Sequence, residues 1–402
     1  MSRVLSFAVF VAVSVAILGL MHGYLWFRLV RDPGLPDPWR RLATIALVVL
    51  ALAVPAGMFA VRLGSGWVAR LVPVLAFAWL GTAFLLFCAV AALDLARLAA
   101  EAMGFVVEWV RARPEAPADP ERRAFVARAV AGGALLAGGG AAAFALRSAT
   151  GPAQVTEVPI RLERLPAALS GLAIAQITDL HVGPTIRERQ VRRVVEQTNA
   201  LRPDVVAITG DLVDGPVAEL GPAVAELARL RAPHGVYFVT GNHEYYSGAA
   251  AWIEEVRRLG IRVLRNERVS IGDAGASIDL AGVDDWSAAR WGNSAGHTAN
   301  LSRALQGRDP ERSLVLLAHQ PRGVDEAVRA GVELQVSGHT HGGQLVPFNL
   351  LVATAYPYLR GLYTHREQAA TGQIFVSRGT GYWGPPMRLG SPPEIAKLVL
   401  TR

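Results

Sequence analysis

Cysteine is all but missing from this chain of 402 residues. Cys88, the single one, lies in an apolar run, which excludes an intrachain disulfide framework and a thiolate metal site. Charge is scarce as well: Asp, Glu, Lys and Arg make up 18% of the residues against 52% hydrophobic ones, the balance of a chain that lives partly in lipid. The positive excess is unevenly placed. Residues 1–150 hold 14 Arg and 8 acids, net +6, whereas residues 151–402 hold 26 Lys and Arg and 25 acids, net +1. Nucleic-acid binding needs a basic face on a folded domain, and the near-neutral second part lacks the charge for one. The arginines of the first part sit between apolar runs, where the cytoplasmic bias of basic residues accounts for them.

Val4 to Phe27, Leu42 to Val61 and Val68 to Leu93 are each about 20 residues or longer and carry no acid or base except Arg70, which meets the length criterion for a spanning helix. Ala124 to Leu146, rich in Gly and Ala, is a fourth candidate that either spans or packs as a small-residue helix against the others. Between them, Leu98, Phe105, Val106, Trp109 and Val110 alternate with Glu101 and Glu108, predicting an interfacial amphipathic helix over Arg97–Arg113. Pro114 to Pro120 reads as a linker, and Ser148 to Gln154 as a second joint. The division is a transmembrane region of three to four helices in residues 1–150 and a catalytic domain in residues 151–402.

Arginine placement sets the expected orientation. Arg28, Arg31, Arg40 and Arg41 follow the first span, and Arg97, Arg111, Arg113, Arg122 and Arg123 follow the third, so these two loops belong on the cytoplasmic side. With four spans, residues 151–402 then lie outside the cytoplasm of a bacterial inner membrane. Glu121-Arg122-Arg123-Ala124-Phe125 resembles an internal twin-arginine export signal, although a double Arg beside a span is expected anyway. Within the spans only Pro55, Pro73 and His22 break the apolar pattern, which favours an anchor over a transporter or channel.

In the second part, Leu172–Thr178, Val205–Thr209, Val236–Thr240, Ser277–Val283, Leu314–Ala318, Leu334–Ser337 and Gln373–Ser377 are short apolar or alternating runs closed by turn residues, and read as strands. Arg187–Leu201 puts Val191, Val194, Val195, Thr198 and Leu201 on one helical stripe. Val217–Leu230, Ala249–Leu259 and Val324–Ala330 read as further helices. Strand and helix alternate early and strands dominate later, the pattern of stacked sheets flanked by helices.

Five short blocks follow these strands: Asp179-Leu-His181, Gly210-Asp211, Gly241-Asn242-His243-Glu244, His319, and Gly338-His339-Thr340-His341. They supply two carboxylates, one amide and four imidazoles as ligands. This mixture suits Mn²⁺, Fe or Zn²⁺, and neither a closed structural zinc site nor a calcium cage. A cation pair about 3.5 to 4 Å apart holds a water as hydroxide at neutral pH and neutralises phosphoryl oxygens during in-line attack, which is the chemistry of phosphate-ester cleavage. His243 points away from the metals if the backbone is extended there, which leaves it free to protonate a leaving oxygen. Asp214 and Glu244 are placed to orient the imidazoles.

Asp-x-His, Gly-Asp-x-x-Asp, Gly-Asn-His-Glu, a lone His and Gly-His-x-His, in this order, resemble the calcineurin-like metallophosphoesterase superfamily, from Leu172 to the C-terminus. The resemblance implies a four-layer α/β/β/α sandwich. It further implies one cation on Asp179, His181, Asp211 and His341, a second on Asp211, Asn242, His319 and His339, and His243 as the catalytic histidine. Leu280-Ala-Gly-Val-Asp284-Asp285, Gly338 to Gln344, and Ser377-Arg-Gly-Thr-Gly381 with Pro385 and Arg388 resemble a membrane-anchored or exported bacterial branch.

His22, His234, His297 and His365 lack partners at ligand spacing and read as surface or loop residues. Arg378 and Arg388 lie in a Gly- and Pro-rich loop within reach of a phosphate. Phe348–Tyr363 is apolar for a loop; core packing is its default reading, and a lid facing the bilayer the sharper one. The expectation is a membrane-anchored phosphoesterase acting on a phosphate ester, with an amphiphilic or lipid-linked substrate favoured by the tether. Two alternatives stand beside it: a UDP-2,3-diacylglucosamine-type hydrolase of lipid A synthesis with a cytoplasmic site, and a phosphate-binding sensor without turnover.

Overall fold

The computed structural model describes residues 3–60, 66–111, 120–273, 275–291 and 298–402. The chain forms two compact units, one built from Met1–Arg147 and Pro385–Met387 and the other from Ser148–Gly384 and Arg388–Arg402.

The first unit is helical: α1 (Arg3–Trp26), α2 (Trp39–Ala60), α3 (Trp67–Arg111) and α4 (Pro120–Thr150). All four helices are long and apolar enough to cross a membrane. α1 runs on into a single π-turn, Phe27–Arg31. That turn carries Arg28, whose Nε donates to Asp94 Oδ2 of α3 at 2.8 Å. Charges in such segments persist where they are paired, and this pair joins two helices. His22, read as a surface or loop residue, is instead buried, with its Nε2 accepting from Trp79 Nε1 at 3.0 Å. The Gly/Ala content of α4 serves close approach: a Cβ on Gly138 would lie 2.9 Å from the Leu86 backbone.

A separate interfacial helix at Arg97–Arg113 is not what forms. α3 continues unbroken for 45 residues to Arg111. Nothing between Leu93 and Arg97 stops a helix, and Arg97 pairs with Glu101 one turn on, Nε to Oε1 2.8 Å. The stretch read as a linker lies, apart from Pro120, outside the described residues, as does His297.

In the second unit the helices are α5 (Glu188–Ala200), α6 (Val217–Val224), α7 (Asn242–Ser247), α8 (Ala249–Arg258), α9 (Leu301–Ala304), α10 (Val324–Arg329) and α11 (Phe348–Ala355). The strands are β1 (Gln154–Arg161), β2 (Ala173–Ile177), β3 (Val205–Thr209), β4 (Val236–Val239), β5 (Arg262–Val263), β6 (Glu267–Asp273), β7 (Ala276–Gly282), β8 (Leu314–Leu317), β9 (Leu334–Ser337), β10 (Gly361–Glu367), β11 (Ala370–Val376) and β12 (Glu394–Thr401). They make two six-stranded sheets, ordered β1-β12-β2-β3-β4-β5 and β10-β11-β9-β8-β7-β6.

The sheets face each other across one apolar core, to which the first contributes Ile174, Val205 and Leu398, and the second Val315, Val336 and Phe375. On the outer face of the first sheet, Val191 and Val195 of α5 and Trp252 of α8 pack with Ile208 and Phe238. Ala327 and Val332 pack behind Leu316 on the second. The result is the α/β/β/α order of layers. β2, β3 and β4 run parallel, as do β8 and β9, so the turns leaving them gather at the C-terminal edge of each sheet.

Phe375 is buried between the sheets and reaches neighbours from both. Phe375→Ala should cost about 3–5 kcal/mol and lower the heat-unfolding midpoint of the detergent-solubilised chain, because neither sheet can collapse into the void without breaking its ladder.

Candidate metal centre

Each ligand-type side chain leaves the turn just past a strand. Thr178 links β2 to Asp179, Gly210 links β3 to Asp211, Ala318 links β8 to His319, and Gly338 links β9 to His339. Asp179, His181, Asp211, His339 and His341 all adopt positive φ, between 50° and 70°. Asp and His tolerate this left-handed region better than branched residues, and each such residue turns the chain sharply enough to aim its side chain back over the strand ends.

Glycine lets the turns nest. A Cβ on Gly241 would sit 2.2 Å from Asp211 Oδ1, and one on Gly338 2.3 Å from Asp179 Oδ2. The Gly of Gly-Asn and the Gly of Gly-His are therefore fixed by the carboxylates they touch.

Three overlapping groups result, with ligand atoms within 4.8 Å of one another: Asp179, His181 and His341; Asp211, His319 and His339; and His181, Asp211 and His243. His181 Nε2 faces His341 Nε2 at 3.0 Å, and His339 Nδ1 faces His319 Nε2 at 3.2 Å. Ring nitrogens that face each other so closely need a cation or a proton between them. Asn242 Oδ1 is buried with no hydrogen-bond partner, as suits an oxygen that donates to a metal ion. The donors present thus fit a pair of divalent cations.

Electrostatics agree. Burial lowers the pKa of His339 to about 3, helped by neighbouring His319, and burial followed by Arg388 holds His341 well below the ordinary imidazole value. Both are neutral at pH 7, the form a metal takes. Burial opposes the charge on Asp211, yet His319 and His243 keep its pKa well below the carboxylate range.

Behind these residues lies a supporting layer. Asp214 Oδ1 lies 3.0 Å from His181 Nδ1 and 2.6 Å from His243 Nδ1, so one carboxylate orients both rings. Burial opposes its charge, but the two imidazoles hold its pKa far below the ordinary value. Glu244 accepts the backbone N–H of Gly241 at 2.6 Å, Asp211 at 3.0 Å and Leu212 at 2.7 Å, tying the β3 and β4 turns together. Arg388 is fully buried; Nη1 donates to the carbonyls of His341 at 2.9 Å and Arg378 at 2.7 Å, and Nη2 lies 3.0 Å from His341 Nδ1. It holds the His341 turn and has no free face for a phosphate. Arg378 is half-buried and gives its backbone N–H to Glu394 at 3.0 Å.

The extended backbone expected at Asn242 and His243 is helical instead. Gly241 caps α7, with Glu244 at its third position, and Asn242 and His243 fall in its first turn. His243 consequently faces the centre: its ring meets His181 edge-on at 4.6 Å, and its backbone N–H donates to Asp211 Oδ1 at 2.9 Å. Its pKa, which burial alone would lower, is raised to about 9 by Asp211 and Asp214. Neither His234 nor His365 belongs to the centre; His365 bonds the Tyr358 hydroxyl, Nδ1 to Oη 2.6 Å.

Reasoning from motifs missed three aromatic residues. Tyr356 Oη lies 2.7 Å from His339 Nε2, and Tyr246 and Trp383 meet the His243 ring edge-on at 5.0 and 5.7 Å. The apolar run at Phe348–Tyr363 was the available signal. Core packing describes only its end: Phe348–Ala355 form α11, in which no residue is buried, whereas Tyr358 and Tyr363 pack against the buried Val328 and Ile374.

The chain belongs to the calcineurin-like phosphoesterase family, whose profile matches residues 172–343. A metallophosphoesterase of Aquifex aeolicus, itself uncharacterized, is 37% identical over 251 residues, 61% of this chain and 91% of that one. A bovine transmembrane protein with metallophosphoesterase domain is 42% identical over 264 residues, 63% of this chain. The match spans 59% of the bovine protein's length, and it carries the likeness beyond bacteria.

Two substitutions test the centre. Gly241→Ala should abolish metal retention, because its methyl would take the place of the Asp211 carboxylate; metal content by mass spectrometry equal to that of the parent chain would refute this. Tyr356→Phe removes the oxygen that accepts from His339 Nε2–H when Nδ1 is the ligand atom, and should weaken Mn²⁺ binding by about 10-fold in calorimetric titration.

Proposed function

We propose that this chain is a membrane-anchored phosphoesterase that uses two divalent cations, Mn, Fe or Zn, to hydrolyse an amphiphilic or lipid-linked phosphate ester. The observation that carries this reading is the convergence of buried imidazoles, two carboxylates and the partnerless Asn242 oxygen on one point. One cation would be held by Asp179, His181, Asp211 and His341, and the other by Asp211, Asn242, His319 and His339. When bound, the pair would supply a nucleophile at neutral pH and offset charge on the phosphoryl group.

The remaining steps belong to the protein. Asp214 fixes a proton on His243 Nδ1 and so turns Nε2 toward the centre, where it lies 4.0 Å from Asp211 Oδ2. A protonated His243 is the donor to the leaving oxygen, and Asp214 is its positioning residue. Glu244 and Arg388 bear on the chemistry only through the turns they brace. The four apolar helices support anchoring, and the arginines between them support a catalytic unit outside the cytoplasm of a bacterial cell.

Purified full-length protein supplied with Mn²⁺ should hydrolyse bis(4-nitrophenyl) phosphate, and Asp211→Asn or His339→Ala should reduce turnover to background while membrane insertion is kept. Near-normal activity in either variant would overturn the assignment. His243→Gln should retain both metals and lose about 10²- to 10⁴-fold in kcat on alkyl esters. The loss should be smaller for 4-nitrophenolate, a leaving group that needs no proton.

A further inference from the structure

Exposed apolar surface on the catalytic unit is concentrated beside the metal centre. Among the residues from Ser148 onward whose side chains are described, Val155 is the one large apolar or aromatic side chain exposed elsewhere. Tyr246 and Trp383 flank His243, while Val346, Phe348, Leu350, Leu351 and Leu362 follow the last ligand motif. Leu350 is 67% and Leu351 62% exposed.

α11, with sequence FNLLVATA, has no charged residue and buries none. Its inner side is fixed to the site: it packs on the His341–Gly343 turn, where a Cβ on Gly343 would meet Asn349, and its C-cap Tyr356 reaches His339. Its outer side offers leucines to whatever lies beyond. A contiguous apolar face rimmed by polar groups marks a binding surface.

The chemistry around α11 selects a lipid surface as the occupant. α4 ends at Thr150 and β1 begins at Gln154, so three residues, a reach of at most about 14 Å, separate a membrane-length helix from the catalytic unit. The rim is basic and aromatic. Arg322 lies over the Tyr356 ring at 5.3 Å, and Arg360 and Arg378 are half-buried in the same loop cluster. Tyr, Trp and Arg around an apolar face are what a helix needs to sit at headgroup depth.

We propose that α11, with Trp383 beside it, is an interfacial docking element that inserts its leucine face into a phospholipid bilayer and holds the metal centre at the level of the lipid phosphates. The surface deepens the reading of the centre as a phosphoesterase with an amphiphilic substrate, and the kinetic arm of its test rests on that reading.

The test uses the full chain in nanodiscs of phosphatidylcholine and phosphatidylglycerol. In a Cys88→Ser background, Leu350→Cys carries an environment-sensitive fluorophore, and the exposed Glu311→Cys serves as the control. Lipids with a nitroxide in the acyl chain should quench the label at 350 strongly and the one at 311 little. Absence of quenching at 350, as when a protein or a second copy covers α11, overturns the proposal, and so does equal quenching at both. In the kinetic arm, Leu350→Ser with Leu351→Ser should raise KM for a phosphodiester presented in vesicles at least tenfold and leave kcat/KM for soluble bis(4-nitrophenyl) phosphate unchanged. An equal loss on both substrates counts against docking. Quenching at 350 in a chain that hydrolyses no phosphoester would keep the docking surface and remove the enzymatic reading.

Discussion

Two carboxylates buried to the same depth, Asp179 and Asp211, cannot stay ionised side by side without positive charge among them, and the catalytic unit is built around supplying it. Burial alone would drive their protons on. The structure answers with the imidazoles of His319 and His243, whose pKa values are raised, with the backbone N–H of His243 on Asp211 and with that of His339 on Asp179, at 2.9 Å in each case. His319, pushed well above its ordinary pKa chiefly by Asp211 against the pull of burial, takes the proton that balances the cluster. A divalent cation would do the same with fewer constraints. The nested glycines and left-handed turns follow from this one requirement, since only close-packed turns bring so many donors to one point while excluding water.

The same constraint reaches outward through groups that never meet a substrate. Glu244 lies deep enough that burial and Asp211 raise its pKa to about 7, yet it accepts three backbone N–H groups at once. Arg388 is the converse: a buried cation, its pKa lowered to about 9 by burial, whose donors hold carbonyls of the His341 turn. Each charge is costly alone and tolerable because backbone dipoles complete it. This explains why Arg388, placed by sequence in a loop that looks open, is closed to solvent.

Much of the centre was legible in the sequence because ligand identity is chemistry, and chemistry is written in residue type. Strands β2, β3, β8 and β9 were legible too, since both faces of each are buried and the runs are mainly apolar, interrupted within β2 and β9 by Gln176 and Gln335. The edges were not. β10, Gly361–Glu367, alternates half-buried and exposed residues with Thr, His, Arg and Glu among them, and its pairing with β11 supplies what its composition does not. β1 and β12 lie about 240 residues apart and form a parallel pair, a contact no local pattern announces. His243 was aimed wrongly because alternation was applied where a helix begins, although Gly241 with Glu244 three residues on was a start signal. In the first unit, the charge-free criterion ended the third span at Leu93, just short of Asp94. Arg28 on α1's π-turn completes that aspartate, so the helix runs through it.

Tyr356 joins the two properties of the site that sequence kept separate, its charge and its apolar rim. The charged cluster is packed on one side by the turn His341–Gly343, and α11 lies against that turn with Tyr356 at its C-terminal end. The helix ends at Tyr356, whose hydroxyl lies 2.7 Å from His339 Nε2 and so helps to fix the orientation of that imidazole. Tyr356 supports the imidazole while Leu350 and Leu351 stand exposed on the helix before it, so polar support of the ring and the apolar rim are carried by different side chains of one short segment.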